Sequence, residues 1–358
     1  MIRYDMMCIL CNARAYYCNQ ASSATAAREL ADAAVQDGAR GLGQLSGLGS
    51  AGRWRNNVER DMHRHSMKAL GMNVKLYGVR TVKHRKAGLA AEAAVHDILL
   101  PHEMMAHLWR ADKEQFKRIM GTDALPEWWA KVKASGEHWY AQHPARAEVE
   151  SEGGARHIPG RLFGDDGHVG LRKIGLLHWS SCVASMMTRK TRFPIAVVSG
   201  DTSLGPPTEN PILEAVVWSW KVAATGVFPT RDHLGAPMTG WRKRMAGQQI
   251  AGGFKLLFCQ MLGDWQWLAK VLSLETKWDT ESMCHLCHAT KSGCTNYANF
   301  CHDAPHIETT RSAAHYLESP AAQKSPLSKL PGWHLETCMV DIMHAGPLGI
   351  VAWAAGAQ

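Results

Sequence analysis

A mixed α/β fold, a β-sheet with flanking helices and a Cys/His-rich insertion, is what residues 155–358 predict, preceded by a mostly helical N-terminal region. Three observations predict it. Short apolar, β-branched segments such as Arg192–Ser199 (RFPIAVVS) and Gly253–Leu262 (GFKLLFCQML) read as buried strands. Between them one long stripe, Ile212, Leu213, Val216, Val217, Trp220, Ala223 and Ala224, recurs at helical spacing. Acids stand where apolar segments stop, as at Asp264.

Each element follows in order. Residues 1–56 are Ala/Gly/Ser-rich past Cys18 and are expected to be of low complexity and partly disordered, with one helix over Ala24–Gln36. Residues 57–150 form the helical basic region. Its apolar spacing is helical over His96–Arg110 and Lys113–Met120, broken by Pro101 and Gly121. The polar stretch Ala145–Gly154 reads as a linker. Beyond it, Arg161–Phe163 leads into GDDGHV, a short strand ending in acids, and Ile174–Val183 is a second strand. After the third strand at Arg192–Ser199, Thr208 is expected to cap the striped helix and Gly226 to stop it. The fourth strand ends at Gly263-Asp264, and Trp265–Leu274 reads as helix. An irregular Cys/His-rich insertion spans about 275–335, and Met339–Ala357 is an apolar helix candidate containing Asp341.

Composition narrows the function. The chain has 358 residues with 46% hydrophobic content, enough to bury a core without disulfide staples. No apolar run approaches the roughly 18 residues of a membrane span, and no signal peptide is evident, so the ten cysteines read as thiols and metal ligands. Between Arg53 and Lys86 stand ten Lys/Arg against Glu59 and Asp61, an excess equal to the formal net charge of +8 of the whole chain. A focused basic segment suggests an anionic partner, nucleic acid first.

The order strand, strand, strand, helix, strand, helix, insertion, helix is the connectivity of an RNase H-like fold, whose mixed sheet brings acids to one edge. Asp165 or Asp166, Asp264 and Asp341 fall at the expected places. Two Mg²⁺ or Mn²⁺ ions need hard oxygen ligands converging from several elements. Asp201, after the third strand, is a weaker rival. As alternatives, Asp165-Asp166-Gly167 also makes a good turn, and Asp264 and Asp341 could each cap a helix.

The phrases GDDGHV (164–169), MLGDWQWLAKVL (261–272), MCHLCHATKSG (283–293), NYANFCHDAPHIET (296–309) and HLETCMVDIMHAGPLGI (334–350) resemble DDE transposases of the CACTA and Plavaka-like groups. The resemblance covers about residues 90–358. It implies catalytic, metal-holding roles for Asp166 (or Asp165), Asp264 and Asp341, with His344 contacting a phosphate or orienting a carboxylate. It also implies DNA as partner, a homo-oligomer pairing two element ends, a nuclear location, and a copy shortened at its C-terminus.

Cys284-x-x-Cys287 is a knuckle that can turn two thiolates onto one Zn²⁺, with Cys294, Cys301, His302 and His306 within reach as partners. Cys8, Cys11 and Cys18 are left unassigned. His102-Glu103 followed by His107 misses the zinc-protease spacing by one residue. Candidate phosphate contacts are Arg80, Lys83, Arg85, Lys86, Arg189, Lys190, Arg192, Arg242, Lys243 and Arg244, with Trp241 or Trp265 available to stack on a base. Two further readings keep parts of this picture: a non-catalytic, zinc-stabilised nucleic-acid-binding protein, and a nuclease of the same fold.

Overall fold

A computed structural model describes residues 24–39, 43–50, 58, 61, 74–84, 90–169, 171–184, 191–274, 276, 280–299, 301–307, 309 and 313–341. The chain divides into two units, residues 1–73 and 74–358. In the first, the helix Ala24–Gln36 (α1) forms over the range its pattern predicts.

The second unit is built on a five-stranded sheet. Its strands are His157–Val169 (β3), Arg172–Ser181 (β4), Phe193–Ser199 (β5), Lys255–Gly263 (β6) and Cys338–Val340 (β7), after a separate hairpin of Tyr77–His84 (β1) and Ala91–Ile98 (β2). The sheet order is β5-β4-β3-β6-β7. Strand β4 runs antiparallel to β3 and β5, whereas β3, β6 and β7 are parallel. β6 is buried along nearly its whole length, as a central parallel strand is expected to be.

The helices that frame the sheet include Pro101–Ala111 (α2), Lys113–Met120 (α3), Leu125–Ser135 (α4), Arg146–Ser151 (α5), Pro206–Thr225 (α6), Gly240–Met245 (α7) and Trp265–Val271 (α8), with shorter helical turns at His138–Ala141, Ala313–Glu318 and Pro320–Lys324. The stripe on α6 packs on the sheet, where Trp220 is fully buried. A Cβ at Gly160 of β3 would stand 2.8 Å from the Trp220 ring, so glycine there lets helix and strand close. Truncating such a buried Trp costs about 3–5 kcal/mol. Helix α4 is tied to β3 by Trp129 Nε1, which donates to the His157 carbonyl at 2.7 Å. Helix α3 is tied to β4 by Ser181 Oγ, which donates to the Met120 carbonyl at 2.7 Å. No helix among the described residues is long and apolar enough to cross a membrane.

The structure corrects several expectations. Residues 77–84 and 91–98 are paired antiparallel strands, not helix. Tyr77, Val79 and Thr81 are buried while Gly78, Arg80 and Val82 are exposed, a period of two. Pro101 opens α2 rather than breaking it, because its missing N–H is one the first turn leaves unpaired anyway. The expected linker at Ala145–Gly154 contains α5. Helix α6 begins at Pro206, so Thr208 lies inside it and accepts from the Leu204 N–H at 2.9 Å. Asp165 and Asp166 lie within β3, which continues to Val169 and pairs antiparallel with β4. Residues 338–340 extend as β7, because the edge of β6 offers them a parallel ladder; 342–358 lie outside the described residues.

Candidate functional site at the C-terminal edge of the sheet

Register gathers the acids at one edge. Gly164 pairs with Gly263 across β3 and β6, and Gly263 pairs with Val340 across β6 and β7. The next residue on each strand is an aspartate: Asp165, Asp264 and Asp341. The ladder reaches one residue further, since the Asp341 N–H donates to the Gly263 carbonyl at 2.8 Å.

The glycines have a steric reason. A Cβ at Gly164 would stand 1.8 Å from the Trp267 ring, and one at Gly263 would stand 2.5 Å from it. Only bare backbone lets α8 fold back over this edge. Asp264 holds the start of that helix, its Oδ1 accepting the Trp267 N–H. The helix-cap role weighed for Asp264 from the sequence is therefore real.

Alternation along β3 separates the two neighbouring acids. Gly160, Leu162, Gly164 and Asp166 share the face that meets Trp220 and Trp267, and Asp165 belongs to the other face. Asp166 opens into a cleft of about 170 Å³ lined by Lys173, Gly175, Gly200, Ser203, Glu209 and Lys270 among others. Its Oδ2 lies 3.2 Å from Lys270 Nζ and 3.7 Å from Lys173 Nζ. The same Lys270 ammonium lies 3.1 Å from Glu209 Oε1, in the first turn of α6. Ser203 Oγ donates to Glu209 Oε1 at 3.2 Å. Burial pulls the Lys270 pKa down, but the Glu209 and Asp166 carboxylates outweigh it and leave it raised. Lys270 is thus a fixed cation between two carboxylates, and with Lys173 it balances their charge.

Hard oxygen donors of the kind Mg²⁺ takes are present at this edge. Among the described residues, however, the one set of three acid, His or Cys ligand atoms lying within 4.8 Å of one another is Glu148, Glu152 and His157. Asp264 and Asp341 are aligned with Asp165 by register but do not meet that spacing as a trio, nor do they with Asp166.

The other expected residues fall as follows. His344, Arg85, Lys86, Arg189, Lys190, Cys8, Cys11 and Cys18 lie outside the described residues. Cys294 and Cys301 are exposed and Cys284 and Cys287 half-buried, and no three of the four share one ligand sphere, with or without His302 and His306. Arg80 is exposed on β1 and Lys83 half-exposed. Arg192 lies 5.2 Å over the Phe163 ring. Arg242 is committed to the buried Glu103, with Nε to Oε1 at 2.6 Å and Nη2 to Oε2 at 3.0 Å, whereas Lys243 and Arg244 are exposed on α7. Trp241 lies against Lys75 and Arg242, and Trp265 against His285. His102 is fully buried with its Nδ1 2.7 Å from Ser219 Oγ. Asp201 sits exposed in the turn after β5.

Sequence reasoning missed Glu209, Lys173 and Lys270. An acid in a first helical turn ordinarily reads as a partner of the helix dipole, so Glu209 carried no separate signal. Comparison with protein-family models, curated proteins and solved structures finds no match.

Proposed function

We propose that this chain acts on DNA phosphodiesters as an RNase H-like enzyme of the DDE transposase type. One observation carries the reading. Three parallel strands share one register row, Gly164, Gly263 and Val340, and the residue after each is an aspartate, Asp165, Asp264 and Asp341. The strand order β5-β4-β3-β6-β7 with only β4 reversed supports it, since the RNase H-like sheet likewise keeps its acids at one edge. Asp264 and Asp341, with Asp166 or Asp165, are the residues that would hold Mg²⁺ or Mn²⁺. When bound, such a pair of ions activates a water or 3′-hydroxyl and stabilises the leaving oxygen. The chain's own residues orient the rest. Gly164 and Gly263 let α8 close over the edge, Asp264 fixes that helix, and Lys173 offers a half-exposed ammonium to a phosphate. In this reading a homo-oligomer pairs two DNA ends in the nucleus, and a Cys284/Cys287 zinc knuckle steadies the insertion.

The test is Asp264→Asn. Asparagine caps a helix about as well as aspartate, so the fold and DNA retention should persist while Mg²⁺-dependent nicking is lost. Nicking at the wild-type rate removes Asp264 from the mechanism. One observation favours the second reading, a non-catalytic DNA-binding protein of the same fold: Lys270 already neutralises Asp166 and Glu209. That protein would retain DNA and show no divalent-dependent nicking even before substitution.

A further inference from the structure

A second polar cluster lies at the N-terminal end of β3, away from the acid edge. It consists of Glu148, Glu152 and His157, whose ligand atoms lie within 4.8 Å of one another. His157 Nε2 is 3.4 Å from Glu148 Oε1 and 3.9 Å from Glu152 Oε2. The His157 side chain is 0% exposed, and neither ring nitrogen has a hydrogen-bond partner. Ring nitrogens buried without a well-formed hydrogen bond are costly. The glutamates are 38% and 47% exposed, so the cluster has a dry back and a wet mouth.

The local fold explains the convergence. Glu148 and Glu152 are four apart on α5 and its C-cap, which places them on one side of the helix. The chain then turns through Gly153 and Gly154, both at positive φ, and His157 opens β3. Lys255 is the register partner of His157 and places its ammonium on Glu148 Oε1. Of the neighbouring charges, Arg146 and Lys133 both pair with Glu150 instead.

We propose that Glu148, Glu152 and His157 bind a first-row divalent cation of the Zn²⁺ class, and that Lys255 holds the place when the ion is absent. Donors each about 2.0–2.2 Å from one ion stand about 3–4 Å apart, as the measured separations nearly do. One imidazole with two carboxylates suits such an ion, whereas Mg²⁺ and Ca²⁺ favour all-oxygen sets. Three protein donors leave an open position on the wet side for water. The ion would satisfy the orphaned imidazole and pin α5 to β3.

Co²⁺, a spectroscopic probe of Zn²⁺ sites, is titrated into the full chain after chelation, in a Cys284→Ser/Cys287→Ser background that removes the thiolate alternative. The expected result is visible absorption from nitrogen and oxygen ligation at one equivalent, displaced by Zn²⁺. His157→Ala could fail to fold, so the diagnostic variant is Glu152→Gln at the half-exposed helix end. It should weaken binding about tenfold or more, since outer-shell changes alone cost about 10–100-fold. Lys255→Met, which removes the competing ammonium, should tighten binding. Absence of uptake, or equal affinity in wild type and Glu152→Gln, overturns the proposal and leaves an ion-pair network anchored by Lys255. Asp264→Asn should leave this signal unchanged, which separates it from any ion at the acid edge.

Discussion

Gly164, Gly263 and Trp267 show how single residues set the geometry of the acid edge. The Trp267 ring lies against both glycines, and the Asp264 carboxylate accepts the Trp267 N–H. Gly164→Ala places a methyl where the buried Trp267 indole is. Overpacking of this kind costs about 1–3 kcal/mol, and the near-overlap puts this case at the upper end. Denaturant unfolding should show that loss, and a midpoint equal to wild type would mean that α8 is free to lift away. At this scale the sequence was half legible. The pattern Gly-Asp-Trp marked a strand end and a capped helix. Which of Asp165 and Asp166 faces the helices was open, because alternation assigns faces only once one neighbour's face is known.

The hairpin β1–β2 is held to α6 by two threonines at the element scale. Thr81 Oγ1 donates to the Thr208 carbonyl at 2.8 Å, and Thr208 Oγ1 donates to the Val82 carbonyl while accepting from Leu204. Thr208→Val keeps the shape and removes the hydroxyl. Leaving the Leu204 N–H and Val82 carbonyl short of a partner should cost about 1–3 kcal/mol. Amide exchange should then speed up along β1 and β2 more than along β6; uniform acceleration would show that the hairpin is not held here. The helical expectation for 57–150 failed at this hairpin for a physical reason. Eight-residue strands with charged outer faces carry a period of two that basic residues disguise. Helix α5 was hidden in the same way, its polar composition resembling a linker until packing placed its glutamates beside His157.

Across the whole molecule, three buried histidines set an acid limit. Burial, helped by Arg242, lowers His102 from 6.5 to about 3. Burial also lowers His143 to about 4, against the Phe258 carbonyl and with His157 adding to it, and lowers His178 to about 4 with Arg192 adding. Each folded-state value lies below the ordinary 6.5, so the unfolded chain takes these protons first. The stability they contribute is complete above about pH 6.5 and drains as pH falls toward 4, with a slope of about 1.4 kcal/mol per pH unit for each full proton of difference. Glu103 acts in the opposite sense, because burial raises its carboxyl despite Arg242. Three histidines against one glutamate predict lower stability at pH 5 than at pH 7 in denaturant titrations. A flat profile would show that these rings are hydrated.

Local pattern by itself determined the α/β class, strands β4, β5 and β6, helices α1 and α6, and the acid at the end of β6, because apolar periodicity and punctuation by Gly and Asp are written residue by residue. Only the tertiary structure decided the rest. Strand pairing set the row of Asp165, Asp264 and Asp341, and packing put Lys270 between Asp166 and Glu209. Helix α5 brought two carboxylates to a buried imidazole. These are relations between segments far apart in sequence or turned toward one another, and they exist only after the sheet has fixed a common frame for them.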